Sequence, residues 1–203
     1  MLSISQWWDM KNKFLYLSMN YILKNKSMDS YNQIKIKYGL EVMYHFITKL
    51  IFVLICAFLL KISKIVLLMI LFFGPLRACI HGVHSNSNIG CWISTIADYI
   101  LFGLYLKYIP INNCIFYCVF AITLLSYFLF APSDTKHRPL VGRNNRIKLK
   151  LKAILLLILE FIMSFLSNKL RPFIFYSCCI SSIIINPTIY RLTRSPLNNF
   201  KNY

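Results

Sequence analysis

One polar stretch, residues 77–91, brings histidine and cysteine side chains together in an otherwise apolar chain. It begins with Arg77, contains His81 and His84, and ends with Cys91. A thiol that gives its proton to a neighbouring imidazole becomes a thiolate, which is a good nucleophile. The residues between His84 and Cys91 are mostly serine, asparagine and glycine, which favour a tight turn. This pattern predicts thiol chemistry, with His84 as the base and Cys91 as the nucleophile.

An apolar run starts at Cys91, which predicts that the thiol lies in the first turn of a helix. The N–H groups and the positive dipole end of a helix N-terminus lower a thiol pKa and stabilise an oxyanion. Asp98 follows on the same helix face, ~10 Å further along the axis. Asp98 could support Cys91 through a bridging histidine, or it could pair structurally with another helix.

The same stretch also has an interpretation as a metal site. Cys79, His81, His84 and Cys91 are ligands of the types that zinc prefers. Their spacing is not a common zinc pattern. Residue chemistry therefore ranks thiol catalysis first, a plain polar connector second and a metal site third, and we predict neither a metal nor a cofactor.

The composition indicates a membrane protein. Of the 203 residues, 58% are apolar, compared with about half in soluble domains. The net charge of +17 fits either nucleic-acid binding or the basic cytoplasmic loops of a membrane protein. Long apolar runs separate the basic clusters, so we predict a lipid bilayer as partner and no nucleic acid.

The predicted fold class is an all-α integral membrane protein with about six transmembrane helices and an N-terminal amphipathic helix. Residues 1–40 mix tryptophans and lysines, which suits a helix at the membrane interface or a cytoplasmic helix packed on the protein. Residues 41–190 form the predicted polytopic membrane domain, and residues 191–203 form a basic tail. The apolar segments lie at about residues 42–60, 65–76, 91–106, 111–131, 151–167 and 172–187. The second is shorter than the ~20 residues that a crossing normally needs.

The basic residues predict the orientation of these segments. With the N-terminus in the cytoplasm, 17 of the 23 lysines and arginines are cytoplasmic, five lie outside and Lys49 lies in the first span. The positive-inside rule therefore predicts that both termini, the loop 77–91 and the basic loop 132–152 are cytoplasmic. Lys49, Asp98 and Glu160 fall at membrane depth, where a charge costs at least ~2.5 kcal/mol, so we expect Lys49 to pair with one of the carboxylates.

Several motifs, in their order and spacing, resemble the accessory gene regulator B family, the membrane cysteine endopeptidases of bacterial quorum sensing. The central motif is Arg77-x6-His84-x6-Cys91, between two spans. The resemblance extends over about residues 30–190. The other similar segments are residues 34–41, Phe72-Phe73-Gly74 and residues 131–140 with the basic run after them.

The chain departs from the family pattern at Ile80-His81, where small residues are usual before the glycine. His81 is therefore a second candidate base, although the spacing of His84 matches the family. The resemblance implies that the thiolate of Cys91 cleaves an AgrD-like precursor and releases its acidic C-terminal tail. The signal then stays on Cys91 as a thioester, until an internal Cys or Ser of the precursor closes a thiolactone or lactone ring.

The resemblance also suggests roles for charged residues. Arg77 could bind acidic side chains of the precursor, or it could pair with Asp98 or Asp134. Lys136 and Arg138, in the basic loop, could dock the acidic tail, although membrane topology alone also predicts such a loop.

Two further functions and one assembly state follow from the same features. Six spans with central charges also suggest a small membrane transporter, but the chain is short and shows no repeat relating its halves. A membrane protein with a Cys/His metal site at residues 79–91 is the other alternative. We expect a homodimer in the cell membrane, because six short spans leave little room to enclose a peptide.

Overall fold

The computed structural model describes residues 4–25, 29–83, 87–134, 140 and 142–193. Within these ranges the chain forms eight α-helices and a short 3-10 helix at Asn168–Leu170, with no β-strand. The predicted all-α fold class is therefore confirmed. The helices are α1 (Ile4–Asn25), α2 (Ser30–Leu59), α3 (Ser63–Ile80), α4 (Asn88–Tyr108), α5 (Asn113–Phe130), α6 (Arg143–Leu166), α7 (Arg171–Ile185) and α8 (Pro187–Leu192).

The helices α2, α3, α4 and α5 are each long and apolar enough to cross a membrane. The predicted membrane protein is thus confirmed. The helices α6 and α7 occupy the positions of the fifth and sixth predicted spans. However, α6 opens with a basic segment and α7 has only 15 residues, so the count of six spans stays a prediction.

The helix α3 is longer than the second apolar segment. It has 18 residues and continues past Pro75 to Ile80. Prolines are tolerated within membrane helices, and Leu76 and Ile80 are fully buried in this last part of the helix. Arg77 therefore lies in the last turn of α3, whereas the sequence had placed it in the connecting loop.

Residues 1–53 form one compact unit, made by α1 and most of α2. The predicted boundary at residue 40 falls inside α2, which is continuous there. The ring of Phe14 lies 5.4 Å from that of Tyr44, and Lys11 Nζ lies 2.5 Å from Glu41 Oε1. One aromatic contact and one ion pair thus join α1 to α2.

Residues 54–203 form the second compact unit, and α7 lies at its centre. The helix α7 packs most extensively on α3 and α5 and also contacts α6. All five residues from Ile174 to Cys178 are buried. The core around them includes Phe72, Leu76, Phe116 and Leu157.

Two consecutive residues of α7 donate hydrogen bonds to the two carboxylates that the sequence predicts at membrane depth. The hydroxyl of Tyr176 donates to Asp98 Oδ2 over 2.8 Å, and the hydroxyl of Ser177 donates to Glu160 Oε2 over 2.6 Å. The sequence predicts Lys49 as partner for one of these carboxylates, whereas these two donors are hydroxyl groups. A hydroxyl donor satisfies a buried carboxylate without the desolvation of a second charge.

Candidate active site

Arg77 reaches from the last turn of α3 over the segment that follows. Its Nη2 donates to the carbonyl oxygen of Val83 over 3.1 Å. Val83 directly precedes His84, the candidate base. His84 itself lies outside the described residues, with residues 85 and 86.

The backbone of residues 80–83 is held from two sides. On one side, the N–H of Gly82 donates to Ser133 O over 2.6 Å, and the N–H of Ser133 donates to Ile80 O over 3.0 Å. On the other side, the N–H of Val83 donates to Ile184 O, at the end of α7, over 2.9 Å. We call residues 80–83, with these bonds, the clamp. Both backbone polar groups of the residue before His84 are thus fixed.

Gly82 is the position of the clamp that admits no side chain. Its φ is +102°, and a Cβ there would lie 2.7 Å from Ile184 O and 2.8 Å from Arg77 Nη1. His81, just before it, has a φ of +59° although it is not a glycine. Its Nδ1 lies 3.4 Å from Cys79 O, and its side chain is half-buried.

Cys91 is the fourth residue of α4, close to the helix start that the sequence predicts. The N-cap is Ser87, whose Oγ accepts from the N–H of Gly90 over 2.9 Å. The N–H of Cys91 donates to Ser87 O over 3.0 Å, so this group already belongs to the helix. The thiol is half-buried and is not in a disulfide. An oxyanion formed at Cys91 would therefore need N–H groups earlier in the turn as its hydrogen-bond donors.

Asp98 points its carboxylate to α7, where it accepts the hydroxyl of Tyr176. The ring of Tyr99 lies 5.9 Å from that of Tyr176. This aromatic contact and the hydrogen bond attach the middle of α4 to the core. The hydrogen bond to Tyr176 is thus a contact between two helices.

The three described members of the suggested metal site are Cys79, His81 and Cys91. Among the described residues, no three histidine, cysteine, aspartate or glutamate side chains converge on one point. Cys79 lies at the end of α3 and His81 lies in the clamp, whereas Cys91 lies in the first turn of α4.

Sequence reasoning missed Ser133, which bonds to the clamp, and it missed the burial of Asp134 and Tyr190. Ser133 and Asp134 are 0% and 1% exposed, and Asp134 Oδ2 lies 3.2 Å from Arg146 Nη1. Tyr190, in α8, is 1% exposed. Burial raises the pKa of the Tyr190 phenol, and the nearby Arg77 guanidinium opposes that shift. The motif at residues 131–140 was the available signal for Ser133 and Asp134, but its spacing says nothing about what it contacts.

The basic loop divides into residues with different surroundings. Arg146 turns inward to Asp134, whereas Arg143 and Lys148 are exposed. Lys136 and Arg138, the predicted docking residues, lie outside the described part of the chain.

The two predicted supporting residues have different partners. Arg77 donates a hydrogen bond to Val83 O, and Asp98 accepts one from Tyr176.

These features define an α-helical membrane protein with a half-buried thiol in the first turn of one helix and a backbone clamp after the preceding helix. The family model of accessory gene regulator B matches residues 16–190, and the chain belongs to this family. The resemblance seen in the sequence is thereby confirmed, and membership gives the protein a role in accessory gene regulator signalling.

Individual relatives match over most of the chain. An AgrB-like protein of Clostridium acetobutylicum is 31% identical over 89% of this chain and 86% of its own length. An AgrB-like protein of Listeria innocua is 29% identical over 86% and 87%. The accessory gene regulator protein B of Staphylococcus aureus is 26% identical over 84% and 91%. No solved structure matches the chain.

Proposed function

We propose that the protein is a membrane cysteine endopeptidase that cleaves an AgrD-like precursor and promotes its cyclisation to a quorum-sensing signal. Family membership supports this proposal. The observation that carries it is the placement of the motif. Arg77 holds the carbonyl of Val83, directly before His84 in the chain, and Cys91 is the fourth residue of α4.

The first half of the reaction is acyl transfer to the enzyme. His84 takes the proton of Cys91, and the thiolate attacks the peptide carbonyl at the C-terminal end of the future signal. When the tetrahedral intermediate collapses, the nitrogen of the tail leaves with the proton from His84. The acidic tail departs, and the signal remains as a thioester on Cys91.

The second half transfers the acyl group to the precursor itself. An internal thiol or hydroxyl attacks the thioester, His84 takes its proton, and Cys91 leaves as a thiolate that is then reprotonated. A thiol attack exchanges one thioester for another, so the ring closes without ATP. Water competes with this step, and a site at the membrane edge limits that competition.

The orientation and partners belong to the same proposal. Both termini and the loop before α4 lie in the cytoplasm, because this orientation places most basic residues there. Lys136 and Arg138 dock the acidic tail by a salt-sensitive attraction. Arg77 and Asp98 support the site, and two copies of the chain form a homodimer that encloses the peptide.

Co-expression with a candidate precursor, analysed by mass spectrometry, tests the chemistry. We expect a cyclic product from the wild type and from Cys114→Ala, which removes an exposed thiol on α5. Cys91→Ala and His84→Ala should form none. Normal processing by Cys91→Ala would refute the proposal, and loss of product in His81→Ala but not in His84→Ala would reassign the base.

The docking residues need a kinetic readout. Replacing Lys136 and Arg138 together by glutamine should raise the precursor concentration needed for half-maximal cleavage, with little change in the maximal rate. The effect should shrink at high salt, because mobile ions screen exposed charges. Unchanged kinetics would remove the docking role and leave the thiol chemistry intact.

A further inference from the structure

We propose that Arg146 is a positioning residue for the candidate base, acting through residues 131–134, which we call the strap. This inference rests on the proposed function, because it assigns Arg146 a role in placing the segment that carries His84. Composition assigns Arg146 to a cytoplasmic basic loop, where it would bind solvent or an acidic peptide. Its contacts give it a different partner.

The Arg146 guanidinium holds the strap at two points. Nη1 lies 3.2 Å from Asp134 Oδ2, and Nη2 donates to Pro132 O over 3.1 Å. The same carboxylate oxygen accepts the N–H of Leu140 over 2.8 Å. The Asp134 side chain is 0% exposed and that of Arg146 is 17% exposed. This pair is largely shielded from water, so it is screened less than an exposed ion pair.

The strap in turn holds the clamp. Between the two points that Arg146 holds lies Ser133, whose N–H and carbonyl bond to Ile80 and Gly82. The Ser133 hydroxyl donates to Phe130 O over 2.7 Å and lies 3.3 Å from Ile185 O. Ser133 therefore joins the ends of α5 and α7 to the segment after α3.

A continuous series of contacts thus runs from α6 to Gly82, two residues before the candidate base in the chain. Arg146 fixes both neighbours of Ser133, Ser133 fixes Gly82, and Val83 and His84 follow Gly82 in the chain. Displacement of an imidazole by about 1 Å from its thiol can lower the rate of a reaction ~100-fold. Loosening the strap should therefore reduce the maximal rate without weakening precursor binding.

The two separate N–H donors of the Arg146 guanidinium matter as much for holding the strap as its charge does. A lysine can form the ion pair with Asp134 but cannot also hold Pro132 O with a rigid second donor. Removal of the cation takes one positive charge away from the buried Asp134 carboxylate, which is unfavourable. We expect Arg146→Lys to be intermediate between the wild type and Arg146→Gln.

The experiment uses the full-length protein in lipid nanodiscs and has two readouts. Hydrogen–deuterium exchange follows the amides of Gly82 and Val83 without any substrate. Processing kinetics, with a precursor that the wild type cleaves, separate kcat from KM. Lys148→Gln is the matched control, because it removes one positive charge from an exposed position of the same helix.

We expect Arg146→Gln to exchange the Gly82 amide at least ~10-fold faster and to lower kcat ~10- to 100-fold at unchanged KM. Asp134→Asn should reproduce the direction of both changes, and Lys148→Gln should change neither. Unchanged exchange in Arg146→Gln and Asp134→Asn would overturn the proposal. Faster exchange with an unchanged kcat would also overturn it, because the pair would then only brace the fold.

The two readouts also separate this proposal from the proposed function. If the wild type cleaves no candidate precursor, the proposed function fails, and the exchange readout alone decides whether Arg146 holds the clamp. If the wild type cleaves and Arg146→Gln raises only KM, Arg146 binds the substrate and the positioning role is refuted.

Discussion

Substitution of Gly82 by alanine tests the clamp most directly. At φ +102° an L-residue is strained, and the new Cβ would lie 2.7 Å from the backbone oxygen of Ile184. The second close atom, Nη1 of Arg77 at 2.8 Å, ends a flexible side chain and can move. The backbone oxygen cannot move without shifting the end of α7. We therefore expect residues 82 and 83 to move away from α7.

The free energy that Gly82→Ala adds against the closed clamp is the sum of two contributions. Holding a non-glycine residue in a sparsely populated backbone region costs about 1–3 kcal/mol. Loss of the 2.9 Å bond between Val83 N–H and Ile184 O costs about 1 kcal/mol more. A total of about 2–4 kcal/mol shifts the equilibrium between the closed and open clamp by roughly 30- to 700-fold.

Two measurements check this expectation. Hydrogen exchange of the Val83 amide should become much faster in Gly82→Ala, and precursor processing should fall at least tenfold. Gly74→Ala is the control, since Gly74 lies inside α3 with nothing within 4 Å of an added Cβ. It should process normally and be equally stable or slightly more stable, because alanine favours a helix interior. Wild-type protection of Val83 and wild-type processing in Gly82→Ala would refute the reasoning.

Two predictions concern the stability of the second unit, measured by thermal unfolding in detergent. Leu157 is 0% exposed and Leu155, on the same helix, is 66% exposed. Leu157→Ala should lower the free energy of unfolding by about 2–5 kcal/mol. Leu155→Ala should lower it clearly less. Equal losses would show that α6 does not pack as described. Ser177→Ala removes the hydroxyl donor of buried Glu160 and should cost about 1–3 kcal/mol. Adding Glu160→Met should recover part of that loss, and a double variant less stable than Ser177→Ala would contradict this.

The sequence predicted the class of protein because that class depends on local properties. Apolar runs of spanning length predict membrane helices without reference to any partner, and α2 to α5 lie where those runs are. The spacing of Arg77, His84 and Cys91, together with the other motifs, indicated the family, since order and spacing can be read directly from the sequence.

Helix ends were harder to predict, because local signals compete with packing. Gly74-Pro75 favoured an early end of α3, yet the buried side chains of Leu76 and Ile80 continue the helix to residue 80. The same extension moves Arg77 from a loop into a helix. From there its guanidinium can reach forward to Val83.

Only the tertiary structure decided which polar groups meet. The clamp joins Gly82 to Ser133 and Val83 to Ile184, and these partners are far apart in sequence and carry no common pattern. Hydrogen bonds between backbone groups leave almost no signature in residue type, so composition could not reveal them. The chain by itself thus determined a membrane protein with a histidine–cysteine motif, and the packing of α7 and the strap determined what holds residues 80–83, which precede that histidine. Arg146 illustrates the physical reason. Its charge was visible in the sequence, but the direction in which its side chain points depends on a buried carboxylate that only the fold places beside it.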